Sequence, residues 1–241
     1  MIETAILLAA GEGSRLRSVV PFKPLCEVAG RSLIAHALCG LAEAGLTSAI
    51  VVLGYGASEI KNHLATNVWP LAVETVLVDD YRKPNGTSVL AAEAPVAGNQ
   101  VLLAMCDHLV HPELYRRTAQ AGAATGARLA IDRNVGSDLV DLDDVTRVQT
   151  EGEKIVAIGK GLAIYDCFDT GVFAIGPALF AALHEIEAPS LTEGIRILAA
   201  RGLALTTDCS DLEWIDVDDA CALDKATSWQ VRRQATSGHR P

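Results

Sequence analysis

Residues 3–25 read ETAILLAAGEGSRLRSVVPFKPL, which joins a short apolar run to a loop rich in glycine and basic residues. The apolar run predicts a buried strand over Glu3–Ala9. Gly11 and Gly13 follow it directly, and glycine lets backbone N–H groups approach an anion closely. In α/β sheets, ligands bind beyond the ends of the strands. The stretch therefore predicts an α/β fold with an anion site after the first strand.

Three basic residues accompany the glycines, namely Arg15, Arg17 and Lys23. A tight turn between a strand and a helix needs no positive charge, whereas a site that binds a triphosphate does. Two familiar phosphate-binding loops do not fit, because no G-x-x-x-x-G-K-[ST] run occurs and Leu16 stands where a dinucleotide fingerprint needs its third glycine. We therefore expect a phosphate cradle of another type, and the alternative is a plain βα turn.

Through residue 130, strand-length apolar runs alternate with helical patterns. The predicted strands are Ser48–Leu53, Val73–Val78 and Val101–Met105, and the predicted helices are Ser32–Ala44, Ala57–Leu64, Thr87–Glu93 and Pro112–Ala124. Strands spaced by helices imply βαβ units, and hence a mostly parallel sheet with helices on both faces.

After residue 131 the pattern changes. Val145–Gln149 and Lys154–Ile158 flank a Thr-Glu-Gly-Glu turn, which is typical of a β-hairpin. The remaining predicted elements are strands at Asp169–Ile175 and Leu203–Thr207 and helices at Pro177–Leu183 and Leu191–Ala200. We predict one mixed α/β domain over residues 1–230, with halves at 1–130 and 131–230, and a polar tail over 231–241.

The composition excludes several classes of protein. Of 241 residues, 50% are hydrophobic and 21% are charged, so the chain can bury a sizeable core. The formal net charge of −10 disfavours nucleic-acid binding, because an acidic surface repels the phosphate backbone. No apolar run is long enough for a membrane span, no basic leader precedes the first strand, and the six cysteines include no C-x-x-C pair. These features predict a cytoplasmic protein without membrane insertion.

A second candidate motif follows the fourth predicted strand and reads Cys106-Asp107-His108. An acid at the end of a buried strand can hold Mg²⁺ together with substrate phosphate oxygens. The alternative is that Asp107 caps the helix beginning at Pro112. A zinc site that uses His108 and His111 is disfavoured, because Cys106 and Asp107 should point to opposite faces of a strand.

A third candidate motif, residues 214–219, reads WIDVDD. Strand alternation places Asp216 and Asp218 on one face, where two carboxylates could complete a metal site begun by Asp107. The alternative is a solvent-facing strand that leads into a helix, which Asp219 suits as a cap. We therefore rank Asp218 first and Asp216 second as metal ligands.

Together these motifs resemble the sugar-phosphate and alditol-phosphate nucleotidyltransferases, whose opening signature is similar to LAAGEGSRL followed by KPL, with a metal-binding Asp after the fourth strand. The resemblance runs from Thr4 to about Lys225. One departure is Phe22, which separates Pro21 from Lys23 where the family usually reads Pro-Lys. Four stretches look like the CTP:inositol-1-phosphate cytidylyltransferases within that family, namely NGTSVL at 85–90, MCDHLV at 105–110, IGKGLAIYDCFDTG at 158–171 and WIDVD at 214–218.

The resemblance implies a Rossmann-like, mixed but mostly parallel sheet flanked by helices, of the GT-A-like nucleotidyltransferase type, with an inserted β-hairpin half that binds the acceptor. It also implies Mg²⁺ held by Asp107 with Asp218 and Asp216. The implied catalytic residues are Arg15, Lys23 and Asp107. The implied nucleotide-binding residues are Leu8, Ala9, Ala10, Gly11, Gly13, Ser14, Arg15, Lys23, Asn85, Gly86, Thr87 and Ser88. The implied acceptor-binding residues are His108, Lys160, Asp169, Thr170, Gly171 and Glu193.

The reaction expected from the resemblance is Mg²⁺-dependent transfer of a cytidylyl group from CTP to inositol 1-phosphate, which gives CDP-inositol and pyrophosphate. The alternatives are transfer to another phosphorylated polyol, to a hexose 1-phosphate or to phosphocholine, and a catalytically silent nucleotide-binding subunit. A molybdopterin-type nucleotidyltransferase shares the opening loop, but the hairpin half after Thr125 disfavours it. Lys160 and Asp169 favour a hydroxylated, anionic acceptor. Phosphocholine calls for an aromatic cage, and only eleven residues are aromatic (four Phe, three Trp and four Tyr). The expected protein partners are a second copy of the chain or a membrane CDP-alcohol transferase, because bifunctional relatives carry the latter as a second half that this sequence lacks.

Overall fold

The computed structural model describes residues 2–137 and 139–237, with side chains described as far as residue 233. Its strands are β1 (Thr4–Ala9), β2 (Glu27–Val28), β3 (Arg31–Ser32), β4 (Ser48–Leu53), β5 (Ala72–Leu77), β6 (Val101–Met105), β7 (His108–Val110), β8 (Ala127–Asp132), β9 (Arg147–Glu151), β10 (Lys154–Gly159), β11 (Cys167–Ile175), β12 (Ala204–Asp208) and β13 (Trp214–Asp216). Its helices are α1 (Leu33–Glu43), α2 (Ala57–Thr66), α3 (Gly86–Ala91), α4 (Glu93–Val96), α5 (Pro112–Ala121), α6 (Pro177–His184), α7 (Leu191–Ala200) and α8 (Ala220–Ser237). Two short 3-10 turns, Ser14–Leu16 and Lys23–Leu25, shape the segment between β1 and β2.

Within the described residues, nine strands form one mixed sheet in the order β5-β4-β1-β6-β11-β8-β12-β10-β9. The neighbours β5, β4, β1 and β6 are parallel, as the βαβ pattern predicts. β11 runs antiparallel between β6 and β8, and β9 also pairs with β11 at Arg147 and Val148. The strands β11, β8, β12, β10 and β9 therefore close into a ring. The predicted mixed sheet is confirmed, but only its first half is mostly parallel, because the hairpin half adds antiparallel neighbours.

Alternation along the parallel strands sends apolar side chains into two cores, one on each face of the sheet. On one face, Leu7 and Val51 pack with α1 and α5, where Leu38 is fully buried. On the other face, Ile6 and Leu103 pack with α3, α6 and α7. Because both faces of these parallel strands are apolar, both must be shielded from water, and the helices on each side shield them.

A third, smaller core lies beneath the loop that follows β1. Leu16 of this loop packs with Leu109 on β7 and with Trp229 on α8. β7 and β13 pair antiparallel, with Asp216 opposite His108. This pairing brings together two of the candidate motifs, although they lie far apart along the chain.

The largest difference from the predicted elements is β8, a strand inside the sheet that the apolar pattern does not indicate. Arg128 interrupts its apolar run, but the guanidinium donates hydrogen bonds to the carbonyls of Gly122 (3.1 Å) and Thr206 (2.8 Å). These bonds let a charged residue occupy a position within the sheet. The helix predicted over Pro112–Ala124 ends at Ala121, because Gly122 adopts a positive φ of 68°.

Two further boundaries differ from the prediction. The helix predicted over Thr87–Glu93 is divided into α3 and α4. The segment predicted as a polar tail is helical as far as Ser237, and its remaining residues lie outside the described part of the chain. In the part that is described, no helix combines the length and the apolar character needed to cross a membrane.

Buried Asp132 ties β13 to β8, because its Oδ2 accepts a 3.0 Å hydrogen bond from the indole of Trp214. Trp214→Phe deprives a buried carboxylate of a donor. Trp229→Phe is the matched control, since Trp229 is also buried but donates at 2.7 Å to Glu213, which is exposed and can turn to water. We expect urea denaturation to show a free energy of unfolding lower by ~1–3 kcal/mol in the Trp214 variant than in the Trp229 variant. Equal losses would contradict the role given to Asp132.

Candidate active site

The loop after β1 and the end of β6 meet at one edge of the sheet. The two strands are parallel neighbours, and the N–H of Cys106 donates to the carbonyl of Leu8 at 3.0 Å. Ala10 is buried and its carbonyl accepts a 3.0 Å hydrogen bond from the N–H of Tyr55, so it does not face the cavity. The cavity at this edge has a volume of about 250 Å³, and the predicted nucleotide-binding residues that line it are Leu8, Ala9, Gly11, Gly13, Ser14, Arg15 and Lys23.

Lys23 reaches this cavity although its side chain is almost fully buried, with the residue 8% exposed. Its ammonium donates to Asp107 Oδ2 at 2.5 Å and to Asp218 Oδ1, and Asp216 Oδ1 lies 4.0 Å away. Gly13 makes this position possible, since its φ is +57° and a Cβ there would lie 2.5 Å from the Cβ of Lys23. A side chain at position 13 would therefore displace the lysine.

The charges of this cluster depend on one another. Burial alone would lower the pKa of Lys23, but the three surrounding carboxylates outweigh it and hold the pKa above its ordinary value. Burial and the charge of Asp216 raise the pKa of Asp218 to about 6. Burial also opposes ionisation of Asp216, yet His108 and Lys23 lower its pKa to about 2. The site thus concentrates negative charge around a single ammonium group.

The imidazole of His108 lies beside these carboxylates. Burial opposes its protonation, but Asp216 above all raises the pKa of His108 to about 10. Its Nδ1 donates to the carbonyl of Thr170 at 2.9 Å, and its Nε2 lies 3.3 Å from Asp216 Oδ2. The ring also stacks on Trp214, with ring centroids 5.8 Å apart. Gly171 leaves room for it, because a Cβ there would lie 2.4 Å from Nδ1.

Asp107, His108 and Asp216 form a group that could hold a metal ion, each offering one ligand atom within 4.8 Å of the others. The buried Oδ1 of Asp216 has no hydrogen-bond partner among the described residues. An orphaned carboxylate oxygen of this kind fits a cation. Asp218, in contrast, uses both of its oxygens on basic side chains. The geometry therefore favours Asp216 over Asp218 as the second ligand, the reverse of the order expected from the sequence.

The structure also decides which residues cap the neighbouring helices. His111 caps α5, because its Nδ1 accepts a 3.1 Å hydrogen bond from the N–H of Glu113. Asp107 is therefore not the cap of this helix, and His111 lies outside the metal-ligand group. Asp219 caps α8, its Oδ1 accepting the N–H of Ala222 at 2.8 Å.

Arg15 and Lys160 meet at Asp144, a residue that the sequence analysis did not single out. The guanidinium of Arg15 lies 2.5 Å from Asp144 Oδ2 and also contacts Asp218. The ammonium of Lys160 contacts the other oxygen, Asp144 Oδ1. Lys160 first, and Arg15 to a lesser extent, hold the pKa of Asp144 well below its usual range.

Arg17, which the sequence analysis placed with the basic residues of the cradle, points away from the cavity. It forms an ion pair with Glu12 at 2.5 Å, and its guanidinium lies over the ring of Tyr55, 4.9 Å from the centroid. The 3-10 turn after Gly13 separates it from Arg15. In the structure, two of the three basic residues of this stretch, Arg15 and Lys23, face the cavity.

Phe22, the departure from the family pattern, anchors the segment that carries Lys23. Its ring packs against Gly56, where a Cβ would lie 2.2 Å from the ring, and its centroid is 5.9 Å from that of Tyr55. The φ of Gly56 is +67°, so glycine is needed there for backbone and space alike. The extra residue thus fixes the loop on the turn between β4 and α2.

A second cavity, of about 510 Å³, opens beside the first and shares Asp107 and Asp218 with it. Burial raises the pKa of Asp169 to about 6, and its Oδ1 accepts a 2.7 Å hydrogen bond from the N–H of Gly171. The predicted residues brought together in this cavity are Asn85, Asp107, His108, Lys160, Asp169, Gly171, Asp216 and Asp218, and Asp144 lines it as well.

Two predicted acceptor-binding residues, Thr170 and Glu193, do not line either cavity. Thr170 is fully buried, and its hydroxyl donates to the carbonyl of Ala130 at 2.8 Å. Glu193 accepts hydrogen bonds from the N–H (3.0 Å) and hydroxyl (2.6 Å) of Ser190, and so completes a capping box at the start of α7. Their side chains therefore have structural roles. On α7, Thr192 is the residue that lines the larger cavity.

The predicted nucleotide-binding residues at the start of α3 attach this helix to α7. Asn85 Oδ1 accepts a 2.9 Å hydrogen bond from the first N–H of α7. Gly86 lies so close to the backbone of Pro189 that a Cβ would come within 2.5 Å of its carbonyl oxygen. Ser88 is buried, and the buried hydroxyl of Thr87 has no partner among the described residues. Their contact with a nucleotide stays a prediction.

A family model described as the MobA-like NTP transferase domain matches residues 5–196. The chain belongs to this family. The matched segment contains the loop after β1, the end of β6 and Lys160, and the prediction of a nucleotidyltransferase is thereby confirmed.

This NTP transferase is similar to curated proteins named "Bifunctional IPC transferase and DIPP synthase". The protein of that name from Aquifex aeolicus is 30% identical over 240 residues, which cover 96% of this chain and 53% of the relative. The one from Rubrobacter xylanophilus is 35% identical over 219 residues, which cover 89% of this chain and 49% of the relative. The chain thus spans about half the length of these relatives.

The fold is similar to that of a solved structure described as the inositol-1-phosphate CTP transferase from T. maritima. The two chains superpose with a TM-score of 0.82 at 23% identity, over 94% of this NTP transferase and 95% of the other chain. At this identity the match bears on the fold alone. It confirms the predicted α/β nucleotidyltransferase architecture, with a mixed sheet between layers of helices.

Gly171 offers a test of how His108 is held. Its φ is +78°, so Gly171→Ala would both strain the backbone and push the imidazole from its place. We expect urea denaturation to show a loss of ~1–3 kcal/mol in the free energy of unfolding. Gly161→Ala is the matched control, because no atom lies within 4 Å of a Cβ there, and it should change stability by less than about 0.5 kcal/mol. Equal stabilities for the two variants would contradict the packing described.

Proposed function

We propose that this NTP transferase transfers the cytidylyl group of CTP to inositol 1-phosphate and releases pyrophosphate and CDP-inositol. The observation that carries the proposal is the junction of two cavities at Asp107 and Asp218, with Lys23 and Arg15 on one side and Lys160 on the other. The glycine-lined cavity suits a triphosphate, and the larger cavity suits an anionic, hydroxylated acceptor. The names of the relatives support CTP and inositol 1-phosphate as the particular substrates.

The chemistry needs little acid–base assistance from the protein. The second pKa of a phosphate monoester is about 6, so its oxygen is already a nucleophile near neutral pH. This oxygen forms a bond to the α-phosphorus of CTP, while the bond from that phosphorus to the bridging oxygen breaks and its electron pair leaves with pyrophosphate. The protein must therefore align the acceptor oxygen with the leaving group and neutralise the charge.

Lys23 and Arg15 are placed to neutralise that charge. Both line the glycine-rich cavity, and both are held by carboxylates before a substrate binds. Burial places Lys23 in a medium of low dielectric constant, where its attraction for a phosphate oxygen is stronger than in water. Gly11 and Gly13 let the backbone of the loop approach the same phosphates.

A divalent cation fits the carboxylates at the junction. Asp107 and Asp216 would hold it, with Asp218 beside them, because Mg²⁺ prefers oxygen ligands from one or two carboxylates and completes its shell with substrate phosphates. When bound, such an ion neutralises phosphate charge and orients the phosphates for in-line transfer. His108 supports this arrangement from the side, since it faces Asp216 and keeps that carboxylate ionised.

The second cavity suits a phosphorylated polyol better than a choline ester. Lys160 supplies a cation for the acceptor phosphate, and Asp169, with a pKa of about 6, is mostly ionised at pH 7 and can accept a hydrogen bond from a hydroxyl group. A choline group requires several aromatic rings around its cation. Among the described residues that line this cavity, Trp214 is the single one that is a Phe, Tyr or Trp.

A panel of acceptors tests the proposal. The protein is incubated with CTP, MgCl₂ and either inositol 1-phosphate, glucose 1-phosphate or phosphocholine, and pyrophosphate release and product mass are measured. We expect release with inositol 1-phosphate, and its loss when a chelator exceeds the magnesium. Release with another acceptor alone would contradict the assigned substrate. Tight binding of CTP without release from any acceptor would contradict the activity itself.

Variants of Lys23 and Asp107 test the mechanism. Lys23→Ala and Asp107→Ala should each lower kcat by ~10²–10³-fold, as expected for the loss of one preorganised charge at the reacting phosphates. Arg17→Ala is the matched control, because Arg17 is a basic residue of the same loop that faces Glu12 and Tyr55 instead. It should keep a nearly unchanged kcat. Near-native turnover in the Lys23 or Asp107 variant would argue against the assigned roles.

A further inference from the structure

Asp144 joins two basic groups that belong to different halves of the site. It lies in the connection between β8 and β9. Its Oδ2 lies 2.5 Å from the guanidinium of Arg15, which comes from the loop after β1, and its Oδ1 contacts the ammonium of Lys160, which directly follows β10. A single carboxylate therefore bridges the glycine-rich cavity and the larger cavity.

The contacts of Asp144 have the chemistry that a phosphate would have at the same place. Arginine and lysine bind carboxylate and phosphate oxygens through the same charge-assisted hydrogen bonds. The side chains concerned are also accessible, at 26% exposure for Asp144, 51% for Arg15 and 62% for Lys160. A ligand entering either cavity can therefore reach the basic groups and compete for them.

We propose that Asp144 stands in for the substrate phosphates on Arg15 and Lys160, and that it thereby couples the binding of the nucleotide to the binding of the acceptor. This inference rests on the proposed function, which assigns Arg15 to the nucleotide and Lys160 to the acceptor phosphate. Asp144 is then a positioning residue that holds both basic side chains at the junction until the two substrates replace it.

The coupling follows from competition for the two basic groups. A nucleotide phosphate on Arg15 removes one of the two contacts that hold Asp144 in place and repels its carboxylate, so Asp144 is no longer kept against Lys160. An acceptor phosphate then meets less competition at Lys160. By linkage, the acceptor must strengthen nucleotide binding by the same factor. Direct repulsion between the two substrates opposes this effect, but it is present whether or not residue 144 carries a charge.

The coupling also distinguishes acceptors by charge. Inositol 1-phosphate carries a phosphate that competes with Asp144 for Lys160. Free inositol offers the same hydroxyl groups without that phosphate and leaves the contact between Asp144 and Lys160 in place. The nucleotide should therefore bind more tightly in the presence of the phosphorylated polyol, and with unchanged affinity in the presence of the free polyol.

Calorimetry on Asp144→Asn tests the inference. The ligand is the CTP analogue with a methylene group between the α- and β-phosphorus atoms, which cannot be cleaved, and its Kd is measured with magnesium alone, with added inositol 1-phosphate and with added inositol. Asp143→Asn is the matched control, since Asp143 is an exposed neighbour that forms no ion pair in the part of the chain that the structure describes. It removes the same charge one residue away.

Four results are expected. Asp144→Asn should bind the analogue alone about fivefold more tightly than the wild type, because the competing carboxylate charge is gone. The ratio of the Kd values without and with inositol 1-phosphate should be smaller in this variant than in the wild type. Asp143→Asn should match the wild type in both measurements. Free inositol should leave the Kd of the analogue unchanged in the wild type and in the variants.

Other results separate the two proposals. Weaker binding of the analogue by Asp144→Asn, or a ratio equal to that of the wild type, overturns the role of Asp144 while leaving the proposed function intact. If Asp143→Asn and Asp144→Asn have equal effects on the Kd values, those effects come from the loss of a negative charge in general. This result also overturns the role of Asp144. Failure of the wild type to bind the analogue or inositol 1-phosphate refutes the proposed function itself.

Discussion

The buried ammonium of Lys23 has to lie among carboxylates, and much of the site follows from that requirement. An unpaired charge in a protein interior costs several kcal/mol, so Lys23 can be buried only where acids surround it. Those acids come from two places, with Asp107 after β6 and Asp216 and Asp218 at the end of β13. The pairing of β7 with β13 and the packing of Leu16 against α8 serve to bring them together. One buried charge thus links the loop after β1 with two segments that lie 84 and 195 residues away in the sequence.

The parts of the site that could be predicted from the sequence are those defined by the end of a strand. Asp107 comes just after one apolar run, and Lys23 lies in the loop that follows another. Both runs end at one edge of a parallel sheet, where the structure places the two side chains in contact. Asp144 could not be found this way. It lies in a connection without a motif, and its partners Arg15 and Lys160 are 129 and 16 residues away along the chain. Local pattern carries no information on such a contact.

Other differences arise where two local signals compete. Residues 190–193 read SLTE, a capping-box sequence that indicates a structural role for Glu193, and this signal was available before the structure. Arg15 and Arg17 lie two residues apart, but the 3-10 turn sends them in different directions, which their spacing does not reveal. β8 was missed because Arg128 breaks its apolar run, and the carbonyls that accept its hydrogen bonds belong to distant segments.

The ring of strands in the second half has a consequence for how the protein can change over evolution. Among the described residues, β11, β8, β12, β10 and β9 form a ring in which each strand has a neighbour on both sides, since β9 turns back to pair with β11. Connections that rise from a closed ring can lengthen, shorten or change sequence without opening a sheet edge to other chains. The segment that carries Asp144 is one of these connections. A change in such a connection can therefore alter the larger cavity, while the edge of the sheet that carries the glycine-rich loop stays as it is.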